Sequence, residues 1–219
     1  QGALFAAGLR DRRIDVLGVV AIGLTVALGG SLTRDIVLNQ PPVVVWEQWY
    51  LVVAAAAALA GMALESALTR TARLISALDA AVMGIFGAIG ASKAVALGVG
   101  SAGAVLVGVV AAIGGGVLRD LMVNRPIAIL HVGTLNGAAA GIGAAVLVLL
   151  VWLDVPVAVA GTVSAVSTAL LRIAAVHLGW TFPEQGHLHW SQVRAPRRRN
   201  IRGRPVSGWR GPRRSPRAR

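Results

Sequence analysis

The chain contains no cysteine and few charged residues, and both shortages narrow what it can be. Without cysteine it has no disulfide, no thiolate nucleophile and no thiolate metal ligand. Charged residues make up only 14% of its 219 residues, whereas 56% are hydrophobic and the mean hydropathy is +0.71. A soluble domain of this length carries more charge and fewer long apolar runs. The continuous apolar runs therefore predict an all-α polytopic membrane protein.

Enzyme and metal signatures are also missing from the sequence. There is no phosphate-binding loop, zincin motif or nucleophile–base pair, and Ser31 and Thr33 have no histidine nearby. The histidines do not have metal-ligand spacing with carboxylates; they are His131, His177, His187 and His189. We therefore expect neither enzymatic activity nor a bound metal or cofactor.

Positive charge is concentrated at the end of the chain. Eleven arginines lie within residues 194–219, which contain no acidic residue, while the rest of the chain has ten basic and nine acidic residues. From residue 181 the composition changes to proline, glycine, histidine and arginine, which cannot build a packed core. Residues 181–219 are predicted to be a disordered cytoplasmic tail near anionic lipid headgroups, in preference to a nucleic-acid-binding segment.

Two stretches of the sequence share one pattern at an offset of 85 positions. The first copy contains Gly29, Gly30, Ser31, Arg34, Asp35, Asn39 and Pro41. The second contains Gly114, Gly115, Gly116, Arg119, Asp120, Asn124 and Pro126. So many of the rarer residue types at one offset indicate a duplicated unit. Each unit has three apolar spans, an odd number, so the second copy enters the membrane from the opposite side and forms an inverted repeat.

The apolar runs predict seven transmembrane helices, arranged as a 3+3 inverted repeat plus one. Residues 1–64 form the first repeat, residues 65–153 the second, and residues 154–180 the seventh helix. The chain opens at Gln1 without a methionine, and its first apolar run is short, so the first helix is expected to be incomplete. The second and fifth helices are expected to break at their glycines, because each glycine costs about 1 kcal/mol against alanine.

Arginines in alternate loops predict the orientation. They follow the first, third, fifth and seventh spans, at Arg10, Arg12 and Arg13, at Arg70 and Arg73, at Arg125 and in the tail. The intervening loops contain almost none, so the N-terminus is expected outside the cell and the C-terminus in the cytoplasm.

The doubled glycine and Arg-Asp motif on such helices resembles the trimeric intracellular cation channel (TRIC) family in its prokaryotic form. The resemblance covers about residues 2–180, and Leu78-Asp79 and residues 87–94 also fit that family's fourth helix. It implies a homotrimer in the lipids of a prokaryotic plasma membrane, with one potassium-conducting pore per subunit lined by the kinked second and fifth helices. Ser31, where the second copy has Gly116, and the arginine tail depart from the pattern.

Three activities remain open on the sequence. A potassium-selective cation channel is favoured. Its expected ligand is the permeating K⁺ ion, no cofactor is expected, and lipid can bind. The same family is also described as carrying glycine or another small amino acid. The third hypothesis is a non-conducting scaffold whose tail recruits anionic partners.

The glycine runs are the candidate permeation site. They comprise Gly29, Gly30, Ser31, Gly114, Gly115 and Gly116. Carbonyls freed at a helix break can replace part of a cation's hydration shell, and half-helix N-termini can hold a carboxylate. The alternative is close helix packing. Their matched positions in an inverted repeat favour permeation.

The charged candidates have structural and functional interpretations. The pairs Arg34-Asp35 and Arg119-Asp120 either shape the potential at the pore mouth or lock each half-helix to its neighbours, and locking is favoured. Each residue is expected to bond to another segment, because adjacent residues do not face each other on a helix. Asp79 is either functional within the fourth helix or a helix-start residue at the interface. Lys93, the only lysine, follows that helix. Either it moves in the membrane field, where displacing one charge across the membrane changes the free energy by about 2.3 kcal/mol per 100 mV, or its side chain extends to the interface.

Overall fold

A computed structural model of the protein describes residues 2–7, 14–64, 72–130 and 135–180. Within these ranges all regular structure is helical, which confirms the all-α fold. The α-helices are α1 (Gly2–Ala7), α2 (Val16–Val37), α3 (Val43–Trp46), α4 (Gln48–Ala63), α5 (Ala72–Ala96), α6 (Ser101–Met122), α7 (Asn136–Trp152) and α8 (Val157–Leu178). A short 3-10 helix, Ala128–Leu130, follows α6.

Four of these helices are long and apolar enough to cross a membrane, namely α2, α5, α6 and α8. Helices α4 and α7 are shorter but also apolar. The count of seven spans therefore stays a prediction. The basic loops around Arg10 and Arg70 and the arginine tail at 181–219 lie outside the described residues, as do His131, His187 and His189.

The 85-residue offset reappears in the backbone where α2 and α6 end. Asn39 and Asn124 adopt left-handed conformations with φ of 50° and 47°. The Gln40 N–H donates to the Asp35 carbonyl oxygen at 2.8 Å, and the corresponding bond after α6 is 2.9 Å. This pattern satisfies carbonyls that a helix end otherwise leaves without partners. The two copies thus share local geometry as well as residues.

The predicted helix breaks are wrong, because α2 continues through Gly29-Gly30 and α6 through Gly114-Gly115-Gly116. The propensity penalty of glycine is small enough for tertiary packing to override it. Here each glycine run lies where α2 and α6 cross closely, so packing between the helices compensates for the poor helix propensity.

Helices α3 and α4 are separate, because Glu47 takes an extended conformation (φ −107°, ψ 91°) between them. The end of α5 differs from the prediction. Helix α5 continues to Ala96, so Lys93 lies in its last turn instead of beyond its end.

Small side chains bring the helices together. Helix α5 packs against α6 and α8, α2 packs against α6 and α4, and α7 packs against α8. One core cluster consists of Ala88, Ala91, Ala144, Leu147 and Ala160. Many large apolar side chains point outward; Leu17, for example, is 76% exposed. This surface suits lipid contact, while alanine and glycine permit close approach inside the bundle.

Candidate functional site

Helices α2 and α6 cross in a reciprocal, antiparallel contact at the duplicated glycines. A Cβ atom on Gly30 would collide with the carbonyl oxygen of Ala111, and one on Gly115 would collide with the carbonyl oxygen of Val26. Val26 and Ala111 are themselves 85 residues apart. The same contact is therefore made twice, once from each repeat, and the pseudo-symmetry axis passes through this crossing.

The neighbouring glycines show which of them are needed for packing. A Cβ on Gly29 would lie 3.0 Å from Gly115 Cα, and one on Gly114 would lie 3.3 Å from Gly30 Cα and closer still to the Thr33 hydroxyl. A Cβ on Gly116, in contrast, would meet nothing within 4 Å. The packing interpretation thus holds for four of the glycines but not for Gly116.

A cavity of about 360 Å³ lies beside this crossing. Its walls come from the first half of α5, the second half of α6, the segment after α6, and residues of α2, α7 and α8. Gly30, Gly115 and Gly116 line it, whereas Gly29, Ser31 and Gly114 do not. Phe86 also lines the cavity, and its ring lies 3.8 Å from the position of a Cβ on Gly30. The cavity therefore reaches the glycine crossing, with an aromatic ring beside it.

The Arg119-Asp120 pair forms part of the cavity wall. Arg119 Nη2 and Nε donate to Asp120 Oδ1 at 2.8 and 3.0 Å, while Asp120 Oδ2 accepts from the Ala128 N–H at 3.0 Å. Asp120 thus bonds to another segment as expected, but it also pairs with the adjacent Arg119, because the long arginine side chain reaches the next carboxylate although their Cβ atoms diverge. The other carboxylate oxygen fixes the start of the 3-10 helix.

A second ion pair in the cavity joins α5 to α8. Arg172 Nη2 lies 3.3 Å from Asp79 Oδ2, and both residues line the cavity. Asp79 lies seven residues after Ala72, about 10 Å along the helix axis, and both of its interpretations stay predictions. Sequence reasoning missed Arg172. It is the only arginine or lysine in the last apolar span, a signal that marks a functional candidate in a membrane helix.

The first Arg-Asp pair lies at the opposite end of the crossing helices, because α2 and α6 are antiparallel. Asp35 Oδ1 accepts from Arg34 Nε and from Lys93 Nζ, each at 2.8 Å. Asp35 Oδ2 accepts from the Val43 N–H at 3.2 Å, the counterpart of the Asp120–Ala128 bond. Arg34, Asp35 and Lys93 do not line the cavity. Lys93 therefore holds α5 to α2, and its extension to the interface stays a prediction.

Across residues 2–7, 14–64, 72–130 and 135–180, no three histidine, aspartate or glutamate side chains are placed to hold a metal ion.

Comparison with known proteins places the chain in a family. The sequence model of a family described as "Glycine transporter" matches residues 1–66 and 76–152. The chain belongs to this family. It is 36% identical over 160 residues to a UPF0126 membrane protein of Deinococcus radiodurans, covering 71% of this chain and 70% of the relative. It is 32% identical over 179 residues to the UPF0126 inner membrane protein YadS of Escherichia coli K12, covering 80% and 84%.

Solved structures agree on the fold and confirm the resemblance to TRIC channels. One structure, described as the structural basis for conductance through TRIC cation channels, matches with a TM-score of 0.77 and 33% identity, covering 84% of this chain and 89% of that one. The TRIC trimeric intracellular cation channel orthologue from Rhodobacter sphaeroides matches with a TM-score of 0.74 and 30% identity, covering 82% and 91%. The family described as "Glycine transporter" and the TRIC channels are therefore one group of membrane proteins.

Proposed function

We propose that this protein is a membrane cation channel, selective for potassium, with one path in each subunit of a homotrimer. The observation that carries the proposal is the cavity beside the crossing of α2 and α6, which is lined by the carboxylates of Asp79 and Asp120 in a fold shared with TRIC cation channels. Transport sites of inverted-repeat proteins lie at the interface of the repeats, and this cavity reaches that interface at Val26 and Gly30.

The proposed path runs from this cavity past the crossing at Gly30 and Gly115 toward the end marked by Asp35 and Lys93. Because α2 and α6 are continuous helices, most of their carbonyls are engaged in helical hydrogen bonds. Gly29 and Gly30 additionally accept from the Thr33 hydroxyl at 2.8 and 3.1 Å. A cation is therefore expected to keep much of its water and to be attracted by carboxylates, in place of the backbone coordination predicted from sequence.

The loop arginines assign the orientation within this proposal. The cavity lies in the half of the bundle where α5 begins and α6 ends, next to Arg125. By the positive-inside rule this half faces the cytoplasm, so the N-terminus is outside the cell and the arginine tail is inside. The expected location is the plasma membrane of a prokaryote, with the tail against anionic lipid headgroups.

Electrical recording of the purified full-length protein tests the proposal. Reconstituted in a planar bilayer in potassium chloride, it is expected to give unitary current steps with a reversal potential near that of potassium under a salt gradient. An identically treated preparation of an unrelated membrane protein serves as the control. Absence of unitary steps at high protein density would overturn the channel function.

The second candidate is a glycine carrier, favoured by the description of the matching family. The cavity contains charges of both signs, Asp79 and Asp120 beside Arg119 and Arg172, and a zwitterion needs both. Saturable glycine uptake into liposomes without unitary currents supports the carrier. Glycine uptake equal to that of protein-free liposomes excludes it.

A further inference from the structure

The inner end of the cavity is where α5 and α6 come into direct contact. Phe86 on α5 and Ala111 on α6 line this end. Gly90 and Gly108, about one helical turn farther from the cavity, do not line it. A Cβ atom on Gly90 would lie 3.1 Å from the Val107 carbonyl oxygen and 3.3 Å from Gly108 Cα. The two backbones therefore touch at this point, and the contact leaves no room for an ion between them.

Buried apolar side chains continue this contact toward the end of the bundle where α5 ends. The buried cluster consists of Ala94, Ala104 and Val107, each at most 3% exposed. Leu38, the C-cap residue of α2, packs against the same cluster. From Phe86 to Ala94 the axis of α5 rises about 12 Å, so an ion leaving the cavity in this direction meets an apolar layer about two turns thick. Apolar constrictions close a path because water does not enter them.

We propose that this layer is the gate of the transport path and that the structure shows its closed state. The gate, which we name the α5–α6 seal, comprises Gly87, Gly90 and Gly108 and the cluster of Ala94, Ala104 and Val107. It opens when α5 moves away from α6 and water enters between them, a small shift of packed helices. Because backbone and small side chains make most of the contact, little side-chain rearrangement is needed. This gate rests on the proposed function, since a cation or a glycine zwitterion would have to cross it.

A pair of cysteines placed across the α5–α6 seal tests this gate, and the chain has no cysteine of its own to interfere. A Cβ atom on Gly87 would lie 3.5 Å from the Ala112 Cβ atom, an ordinary contact distance. Cβ atoms joined by a disulfide are about 3.5–4.5 Å apart. Gly87→Cys/Ala112→Cys is therefore expected to form a disulfide on oxidation, which would hold α5 against α6 and keep the seal closed.

Unitary currents in potassium chloride, or glycine uptake into liposomes, provide the readout. Oxidation is expected to abolish transport by the double variant and a reductant to restore it, whereas each single variant transports equally well in both states. Ala3→Cys/Gly61→Cys is the matched control, because a Cβ atom on Gly61 would lie 3.6 Å from the Ala3 Cβ atom and this pair joins α1 to α4 away from the seal. Its transport is expected to be unchanged by oxidation. Loss of maleimide labelling shows that each disulfide has formed.

Water access to the α5–α6 seal gives a measurement that does not depend on transport. Ala94 in the seal and Ala160 in the core of α5, α7 and α8 are both 0% exposed. Ala94→Cys and Ala160→Cys are each treated in liposomes with a charged methanethiosulfonate reagent, which modifies thiols that water reaches. Because only the seal opens, Ala94→Cys is expected to react severalfold faster than Ala160→Cys. Asp154→Cys, in the exposed turn after α7, shows that the reagent is active.

The combined outcomes decide both the gate and the proposed function. If the wild type carries neither potassium nor glycine but Ala94→Cys reacts severalfold faster than Ala160→Cys, the proposed function fails and the gate stands. If the oxidised Gly87→Cys/Ala112→Cys variant transports as well as the reduced one, the proposed function stands and the gate is overturned. If Ala94→Cys reacts no faster than Ala160→Cys, the gate is overturned whether or not transport is seen.

Discussion

Lys93 on α5 donates a hydrogen bond of 2.8 Å to the carboxylate of Asp35, which is 1% exposed on α2. These side chains are 58 residues apart in the chain and join the two repeats at the end away from the cavity. The inverted repeat does not reproduce the link, because the position equivalent to Lys93 in the first copy is Gly8. The bundle is therefore tied electrostatically at one end and contains a cavity toward the other.

Lys93→Gln is expected to destabilise the protein by about 1.5–3 kcal/mol, the usual range for a hydrogen bond to a charged group. Asp35 would keep Arg34 and the Val43 N–H but lose its partner on another helix. Thermal unfolding in detergent measures the effect. The double variant Lys93→Gln/Asp35→Asn is expected to be less stable still, because Arg34, only 6% exposed, then loses its carboxylate partner.

The same variant tests whether Lys93 responds to voltage, as its charge near a helix end predicts. If it does, the voltage dependence of activation becomes shallower in Lys93→Gln, because one charge that moves through the membrane field is removed. An activation curve identical to that of the wild type would leave Lys93 with a structural role alone.

Alanine at the reciprocal glycines is expected to separate α2 from α6. In Gly30→Ala or Gly115→Ala the new methyl group meets a backbone carbonyl oxygen, which cannot move away as a flexible side chain can. Overpacking of this kind typically costs about 1–3 kcal/mol, measured here as a lower unfolding midpoint. Gly116→Ala is the matched control, because its Cβ meets nothing within 4 Å. Equal stability of the three variants would contradict the close crossing.

The sequence was sufficient to predict the pairing of the repeats but not the geometry of the glycines. The 85-residue offset predicted that Gly30 and Gly115 are equivalent, and in the structure each makes the same contact with a backbone carbonyl of the other helix. Helix propensity alone suggested a break, because it takes no account of the packing gained when two glycine-containing helices approach. Arg172 was missed because it lies in α8, beyond the repeat that guided the search. The Arg119–Asp120 contact depends on side-chain length, which a rule based on Cβ positions ignores.

Arg119→Ala is expected to lower the yield of folded protein. Asp120 would keep the Ala128 N–H but lose both bonds from the guanidinium, and an aspartate only 6% exposed would lose its counter-charge. Breaking such a pair costs about 3 kcal/mol when it is well buried. Size-exclusion chromatography and thermal unfolding measure the loss, with Asp154→Asn, which removes one charge from the exposed turn after α7, as the control. Normal yield with altered conductance would show that Arg119 acts on ions directly and does not mainly hold the structure.

Phe86→Ala is expected to enlarge the cavity at its inner end, where the ring lies beside the Gly30–Ala111 contact. If the proposed path continues past the glycine crossing, removing the ring lowers the barrier there, and single-channel conductance in potassium chloride rises. Ile89→Ala on the same helix is the control, because Ile89 is 48% exposed and does not line the cavity. Increased conductance in both variants would indicate general loosening of α5. Unchanged conductance in Phe86→Ala, with a normal unfolding midpoint, would mean that ions do not pass this ring and that the path leaves the cavity elsewhere.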